Sequence, residues 1–341
     1  MEDEMKTDAA APDTDVRGLA IRPYAGDADI PEIVRIVNEH AAADRVEEVW
    51  TAEGLRAWFA HPSDQFDPAR DVIMGELDGR VVATGRTEWV DTRDGIYREY
   101  RHWGTVDPAH RGRGIGSAVL AVLERRLGEL ARSHPRDRQP VLASFAAVGR
   151  PEEDLLRAHG YETARWFIDM VRRTLDDVAE PPLPDGIGLR PVTPDQHEAI
   201  WRANREAFRD HWGGSDESLD AMRRILDDPD TDPSAWLIAW DGDEVAGGVW
   251  NEIRTEENAT LGLRRGWLGS VFTRRPWRRR GLARALIARS LTLLRDRGMT
   301  SAILGVDADN PTGALGLYEA AGFEVHDRFV ALRRPLEVAI P

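Results

Sequence analysis

The run Arg278-Arg279-Arg280-Gly281-Leu282-Ala283 follows a strand-like segment and opens a long amphipathic one. At a helix start the free backbone amides and the positive end of the dipole converge, which suits a pyrophosphate. Glycine at 281 and a small residue at 283 keep Cβ atoms out of that approach. Five arginines between positions 274 and 280, with Arg284 and Arg289 beyond, add positive charge at the same point. About thirty residues on come Asp309-Asn310-Pro311, Leu317-Tyr318 and Gly322-Phe323. Asn310 before Pro311 reads as a helix N-cap and Gly322 as its C-cap. Tyr318 therefore rides on a short helix following the anion loop, where a phenol could donate a proton. A second copy, Arg111-Gly112-Arg113-Gly114-Ile115-Gly116, precedes Leu155-Leu156 and Gly160-Tyr161. It keeps the anion loop, but Leu156 stands where the other copy has Tyr318, and leucine cannot donate a proton. Tyr161 matches Phe323 in a closing strand and does not replace the phenol.

The elements that must position these residues also occur twice. Ile21-Arg22-Pro23 returns as Leu189-Arg190-Pro191, Asp78-Gly79 as Asp241-Gly242, and Gly160-Tyr161 as Gly322-Phe323, all at offsets between 162 and 168. Landmarks kept in one order at nearly one spacing imply two related domains, as the length of 341 residues also suggests. Hydrophobic periodicity predicts for each unit a strand, two helices, three strands, a helix, a strand, a helix and a closing strand. The fold class expected is α/β: two tandem units, each a mixed, mostly antiparallel sheet flanked by helices. The expected division is a disordered acidic tail over 1–17, a first domain over 18–175, a proline-rich linker over 176–187 and a second domain over 188–341.

Sixty acidic against 45 basic residues give a net charge of −15, which argues against wrapping nucleic acid. The absence of cysteine removes disulfides, thiolate metal sites and a cysteine nucleophile, and the nine histidines show no metal-binding spacing. No metal is expected. No apolar stretch is long enough to span a membrane, so no membrane association and a cytoplasmic location are expected.

Together these residues resemble the GNAT superfamily of acetyl-CoA-dependent N-acetyltransferases, over nearly all of both units. The tandem arrangement is more loosely similar to mycothiol synthase and its relatives. The resemblance implies that the backbone of Val271-Phe272-Thr273 meets pantetheine, and that Arg278 to Ala283, with Arg284 and Asn310, holds the rest of acetyl-CoA. It implies Tyr318 as general acid and a degenerate, non-catalytic first domain, whose loop Arg111, Gly112, Arg113, Gly114, Ile115 and Gly116 is left open between holding acetyl-CoA as a structural ligand, holding nothing, and shaping the acceptor site between domains. The implied reaction is direct acetyl transfer to the primary amine of a small molecule or short peptide, by a monomer or homodimer. A non-catalytic acyl-CoA sensor or scaffold is the alternative. Many members carry a glutamate on the strand before the loop, but here that stretch reads Trp267-Leu268-Gly269-Ser270. The base is left open among Asn251, Glu252, Asp210 and His211, acting directly or through water.

Overall fold

The computed structural model describes residues 16–309 and 313–337. The expected tail up to position 15 and the Asn310-Pro311 helix start lie outside the described residues.

Strand and helix periods fold as read, with ends shifted by a few residues. The first unit runs β1 (Leu19–Pro23), α1 (Ile30–Asp44), α2 (Ala52–Phe59), a one-turn α3 (Pro68–Asp71), β2 (Val72–Leu77), β3 (Arg80–Asp91) and β4 (Tyr97–Val106). It continues with α4 (Ile115–Ser133), β5 (Gln139–Ala147), α5 (Pro151–Ala158) and β6 (Glu162–Arg172). The second unit repeats the order as β7 (Ile187–Arg190), α6 (His197–Ala207), α7 (Leu219–Leu226), β8 (Leu237–Asp241) and β9 (Glu244–Glu252). After a short α8 (Thr255–Leu261) come β10 (Arg265–Thr273), α9 (Leu282–Asp296), β11 (Ser301–Asp307), α10 (Ala314–Ala320) and β12 (Glu324–Pro335). Helices α3 and α8 are absent from the sequence reading because each is too short to show a period.

All strands join one 12-stranded sheet in the order β1-β2-β3-β4-β5-β12-β6-β11-β10-β9-β8-β7. The two closing strands are exchanged. β6 of the first unit pairs with β11 of the second, while β12 pairs with β5 of the first and with β6. Side-chain packing follows the exchange: Ile168 and Met170 of β6 lie in one core with Leu268, Leu286, Leu304 and Tyr318. Val330 and Leu332 of β12 lie in another with Leu120, Leu127, Leu142 and Leu156. The sequence expectation of a closing strand within each unit's own sheet is thus replaced by a reciprocal one. Its physical gain is that neither β5 nor β11 is left as a bare edge between the units.

Two gaps in this sheet position the site. β4 and β5 run parallel and pair only from Tyr97↔Gln139 to Arg101↔Ala143. β10 and β11 pair only from Arg265↔Ser301 to Trp267↔Ile303. Beyond those points the strands diverge, opening a slot in each unit beside the anion loop that follows β4 or β10.

Candidate active site

In the second unit the Arg274 N–H donates to the Ala246 carbonyl (3.0 Å), which fixes the phase of the β9–β10 ladder. Antiparallel alternation then turns Phe272 toward β9 and turns the Val271 and Thr273 backbone away from it. With β11 already diverged, the Val271 N–H and C=O face the slot. A bulge between Leu268 and Ser270 leaves Gly269 as the extra residue just upstream.

The loop leads into α9 through Gly281, whose φ of 83° suits glycine and whose missing Cβ would meet nothing within 4 Å. Arg278, Arg279, Gly281, Leu282, Ala283 and Arg284 line a cavity of about 1600 Å³ together with Val271, Phe272, Thr273 and Tyr318. Arg280 turns away and donates to the Asp185 carbonyl (3.2 Å). Arg278 is tied down rather than free: Nη1 donates to Asp210 Oδ2 (2.9 Å), Nη2 to the Ala207 carbonyl (2.9 Å) and Nε to the Thr273 carbonyl (3.1 Å).

Tyr318 projects from α10 into the second core, 7% exposed, with its ring edge-on to Phe323 at 6.1 Å between centroids. Its hydroxyl makes no hydrogen bond among the described residues. Burial pushes the phenol up to about 12, so the group stays protonated at neutral pH.

The first unit has the same loop geometry, with Gly112 and Gly114 at φ values of 72° and 81° and Gly114 capping α4. Its surroundings differ. Arg111 makes a two-pronged ion pair with Asp44 at 2.7 Å and also meets His40 Nδ1 at 2.6 Å. Val16 lies 3.4 Å from where a Cβ on Gly114 would be, and Leu155 is 3.2 Å from the same point on Gly116. Arg113 is exposed and Leu156 is buried where the second unit has its phenol. The Tyr161 hydroxyl donates to Glu124 (2.9 Å) and meets His102 Nε2 at 2.6 Å. His40, Asp44 and Glu152 come close enough to hold a cation, but the Arg111 guanidinium already neutralises Asp44.

The four base candidates part company. Asp210 is claimed by Arg275 and Arg278, whose hydrogen bonds hold its carboxyl far below the usual carboxylate range, so it is a poor proton acceptor. Asn251 is fully buried and donates to the Ala235 carbonyl (2.8 Å), away from the cavity. Glu252 packs against Gly269 and pairs with Arg254 (3.2 Å), while burial raises its pKa. His211 lines the cavity beside Phe208, and burial lowers its pKa, leaving a neutral imidazole that can accept a proton. Among the tryptophans of the second unit, Trp201 and Trp250 are core, Trp212 packs edge-on to Phe167 at 6.0 Å between centroids, and Trp267 lines the cavity.

The sequence reading missed Asp169 on β6 and Asp327 on β12, which face each other across the central ladder and line the same cavity. Nothing in the spacing marks them, because each comes from the half whose closing strand crosses over.

The model of the acetyltransferase (GNAT) family matches residues 34–134 and 197–323. A mycothiol acetyltransferase of Geodermatophilus obscurus is 30% identical over 321 residues, covering 90% of this chain and 94% of that protein. The crystal structure of a GCN5-related N-acetyltransferase from Sphaerobacter thermophilus aligns with a TM-score of 0.68 and 26% identity, over 95% of this chain and 98% of that one. A tandem GNAT protein from the clavulanic acid biosynthesis pathway has the same fold, with a TM-score of 0.67 and 18% identity over 94% and 100% of the two chains.

Proposed function

This chain belongs to the acetyltransferase (GNAT) family, and on that premise we propose an acetyl-CoA-dependent N-acetyltransferase with one reaction centre, in the second unit. The observation that carries this reading is the grouping of three features around one slot: the open glycine N-cap of α9, the inward-facing backbone of Val271, and the buried Tyr318 phenol. The first unit has Leu156 in place of the phenol and an anion loop flanked by Val16 and Leu155. The acceptor in this reading is the primary amine of a small molecule or short peptide.

Acetyl-CoA, when bound, supplies an activated acyl carbon and a thiol leaving group. The α9 amides, Arg279 and Arg284 are suited to its phosphates, and the Val271 N–H to an oxygen on which negative charge develops. An alkyl ammonium titrating near 10.4 must first lose a proton, which costs about 4 to 5 kcal/mol at pH 7. The neutral imidazole of His211 is the acceptor for that proton, directly or through water. Tyr318 holds the proton required at the departing sulfur. A phenol near 12 lies above a thiol near 8.5. Tyr318 therefore serves as a hydrogen-bond donor to the departing thiolate, and sulfur gains its proton as the new amide nitrogen gives up its second one, relayed through the phenol so that Tyr318 ends protonated.

Tyr318→Phe is expected to lower acceptor-dependent turnover by about 10² or more, with acetyl-CoA affinity nearly unchanged. The measurement is steady-state CoA release alongside calorimetric titration of acetyl-CoA. Equal turnover in the variant and the parent would remove Tyr318 from this role.

A further inference from the structure

The middle of the sheet has a face that neither core uses. On β6, Ile168 and Met170 point into the second core, so period-two alternation turns Phe167 and Asp169 to the opposite face. On β12, Val330 and Leu332 point into the first core, and Phe329 and Asp327 turn the other way. Register places Phe167 opposite Phe329 and Asp169 opposite Asp327. Phe145 of β5 completes the surface, with ring centroids 5.5 Å from Phe329 and 5.4 Å from Phe167. Although it sits on an interior strand, Phe145 is 38% exposed, within the same cavity as Tyr318. An aromatic surface with acids beside it, opening on a catalytic slot, is the composition of a ligand seat.

We propose that this face is the acceptor subsite, and that it takes an amine bearing an aryl-sized apolar body. Its ammonium lies against Asp169, and its body rests on Phe145, Phe167 and Phe329. The inference rests on the acetyltransferase reading above and names its substrate class.

Asp169 makes no hydrogen bond or ion pair among the described residues, and Asp327 opposite it accepts only from the Arg328 N–H (2.8 Å), whereas two acids further off are matched. Asp307 pairs with Arg165 at 2.8 Å, and Glu47 is held by Arg265 and by His326, the latter at 2.9 Å. A half-buried carboxylate without a partner keeps only part of its hydration, and a bound ammonium would offset that loss. Across the ladder, Gly305 of β11 leaves the carboxylate clear: a Cβ there would come within 3.2 Å of Asp169 Oδ1. The groups facing Asp169 are Asp327 and His326 from β12, Arg254 from beyond β9 and Arg265 from β10. Both arginines are engaged, Arg254 by Glu252 and Glu257 and Arg265 by Glu47 and Glu257. Burial, reinforced by Asp327, holds the Asp169 carboxyl up at about 6. It is therefore mainly charged at pH 7 and loses its charge below pH 6, while an alkyl amine stays cationic throughout.

The test compares CoA release from acetyl-CoA with 2-phenylethylamine, D-glucosamine and glycylglycine, using the full chain. The expected result is a kcat/KM for 2-phenylethylamine at least about tenfold above both polar amines, as burial of an aryl group should give. Asp169→Asn should raise the amine KM by about tenfold or more, as loss of a charged hydrogen bond does, without moving the KM for acetyl-CoA. It should also abolish the rise in amine KM that the parent shows below pH 6. Phe145→Ala should narrow the preference for the aryl amine, at an unchanged melting temperature. A preference for glucosamine or glycylglycine, or an amine KM indifferent to Asp169→Asn, would overturn the subsite. If no amine turns over, calorimetric binding of 2-phenylethylamine decides. Binding lost in both variants upholds the subsite and counts only against the transferase reading, and no binding to the parent overturns it.

Discussion

At the scale of single residues, the most instructive pair is Arg278 with Asp210, because the chain repeats it. Arg111 and Arg278 are 167 positions apart, and Asp44 and Asp210 are 166 apart. In both units an aspartate near the end of the first long helix grips the first arginine of the anion loop. That arginine is thereby a fastener, leaving Arg279 and Arg284, both exposed beside the α9 start, to meet an anion in the cavity. Arg279 adopts φ 60°, where the first unit has Gly112. A non-glycine residue in that region costs roughly 1 to 2 kcal/mol, which a guanidinium facing phosphates would offset on binding. Hydrogen bonds from Arg275 and Arg278 depress the Asp210 pKa, so its contribution to stability is present above the ordinary carboxylate range and is lost only as pH falls toward the folded value. Asp210→Asn is accordingly expected to raise the KM for acetyl-CoA several-fold through a loosened loop and to leave the pH profile of kcat in place. A general base would behave otherwise, with kcat falling about 10² or more. Steady-state kinetics between pH 5 and 9 separates the two.

At the scale of elements, the closing strands carry the lesson about what the sequence disclosed. The span Leu219–Leu226 and the hairpins through Asp78-Gly79 and Asp241-Gly242 fold where periodicity and turn residues put them. The glycine start of α9 and the place of Tyr318 on a short helix were legible for a similar reason, since both depend on local order along one stretch of chain. The partner of β12 was not. A strand with one apolar face has the same alternation whichever edge it joins, so its pattern specifies a face and says nothing of a neighbour. Asp169 stayed hidden with it, because its meaning depends on lying beside β11 of the other unit. The exchange makes a specific demand on Leu332, which is fully buried among first-unit residues although it belongs to the last strand of the second. Leu332→Ala should cost about 2 to 5 kcal/mol in denaturant unfolding. It should also speed hydrogen exchange in α4, whose Leu120 and Leu127 share that core. Faster exchange confined to α9 and α10 would assign the strand to the second unit's core instead.

At the scale of the whole molecule, duplication has produced two copies of an architecture and one continuous sheet. Polar contacts cross between the halves as well as strands: Arg165 with Asp307 at 2.8 Å, Ser63 with Asp216 at 2.9 Å, and Arg333 with Glu99. The cavity is shared too, lined by both anion loops and floored by β5, β12, β6 and β11. A second unit produced alone would lack β6, and with it Asp169, Phe167 and the cover over β11. A first unit alone would lack β12 and leave β5 as a bare edge. The two sequence repeats should therefore unfold as one. Calorimetry of the full chain is expected to give a single transition whose van't Hoff and calorimetric enthalpies agree, despite a length at which separate domain transitions are common. Separately produced chains ending and beginning within the 173–186 connector should show little acceptor-dependent CoA release on their own, and should regain it when refolded together. Full activity from the second chain by itself would show that the exchanged strand is dispensable to the reaction, and that the two units are joined only in sequence.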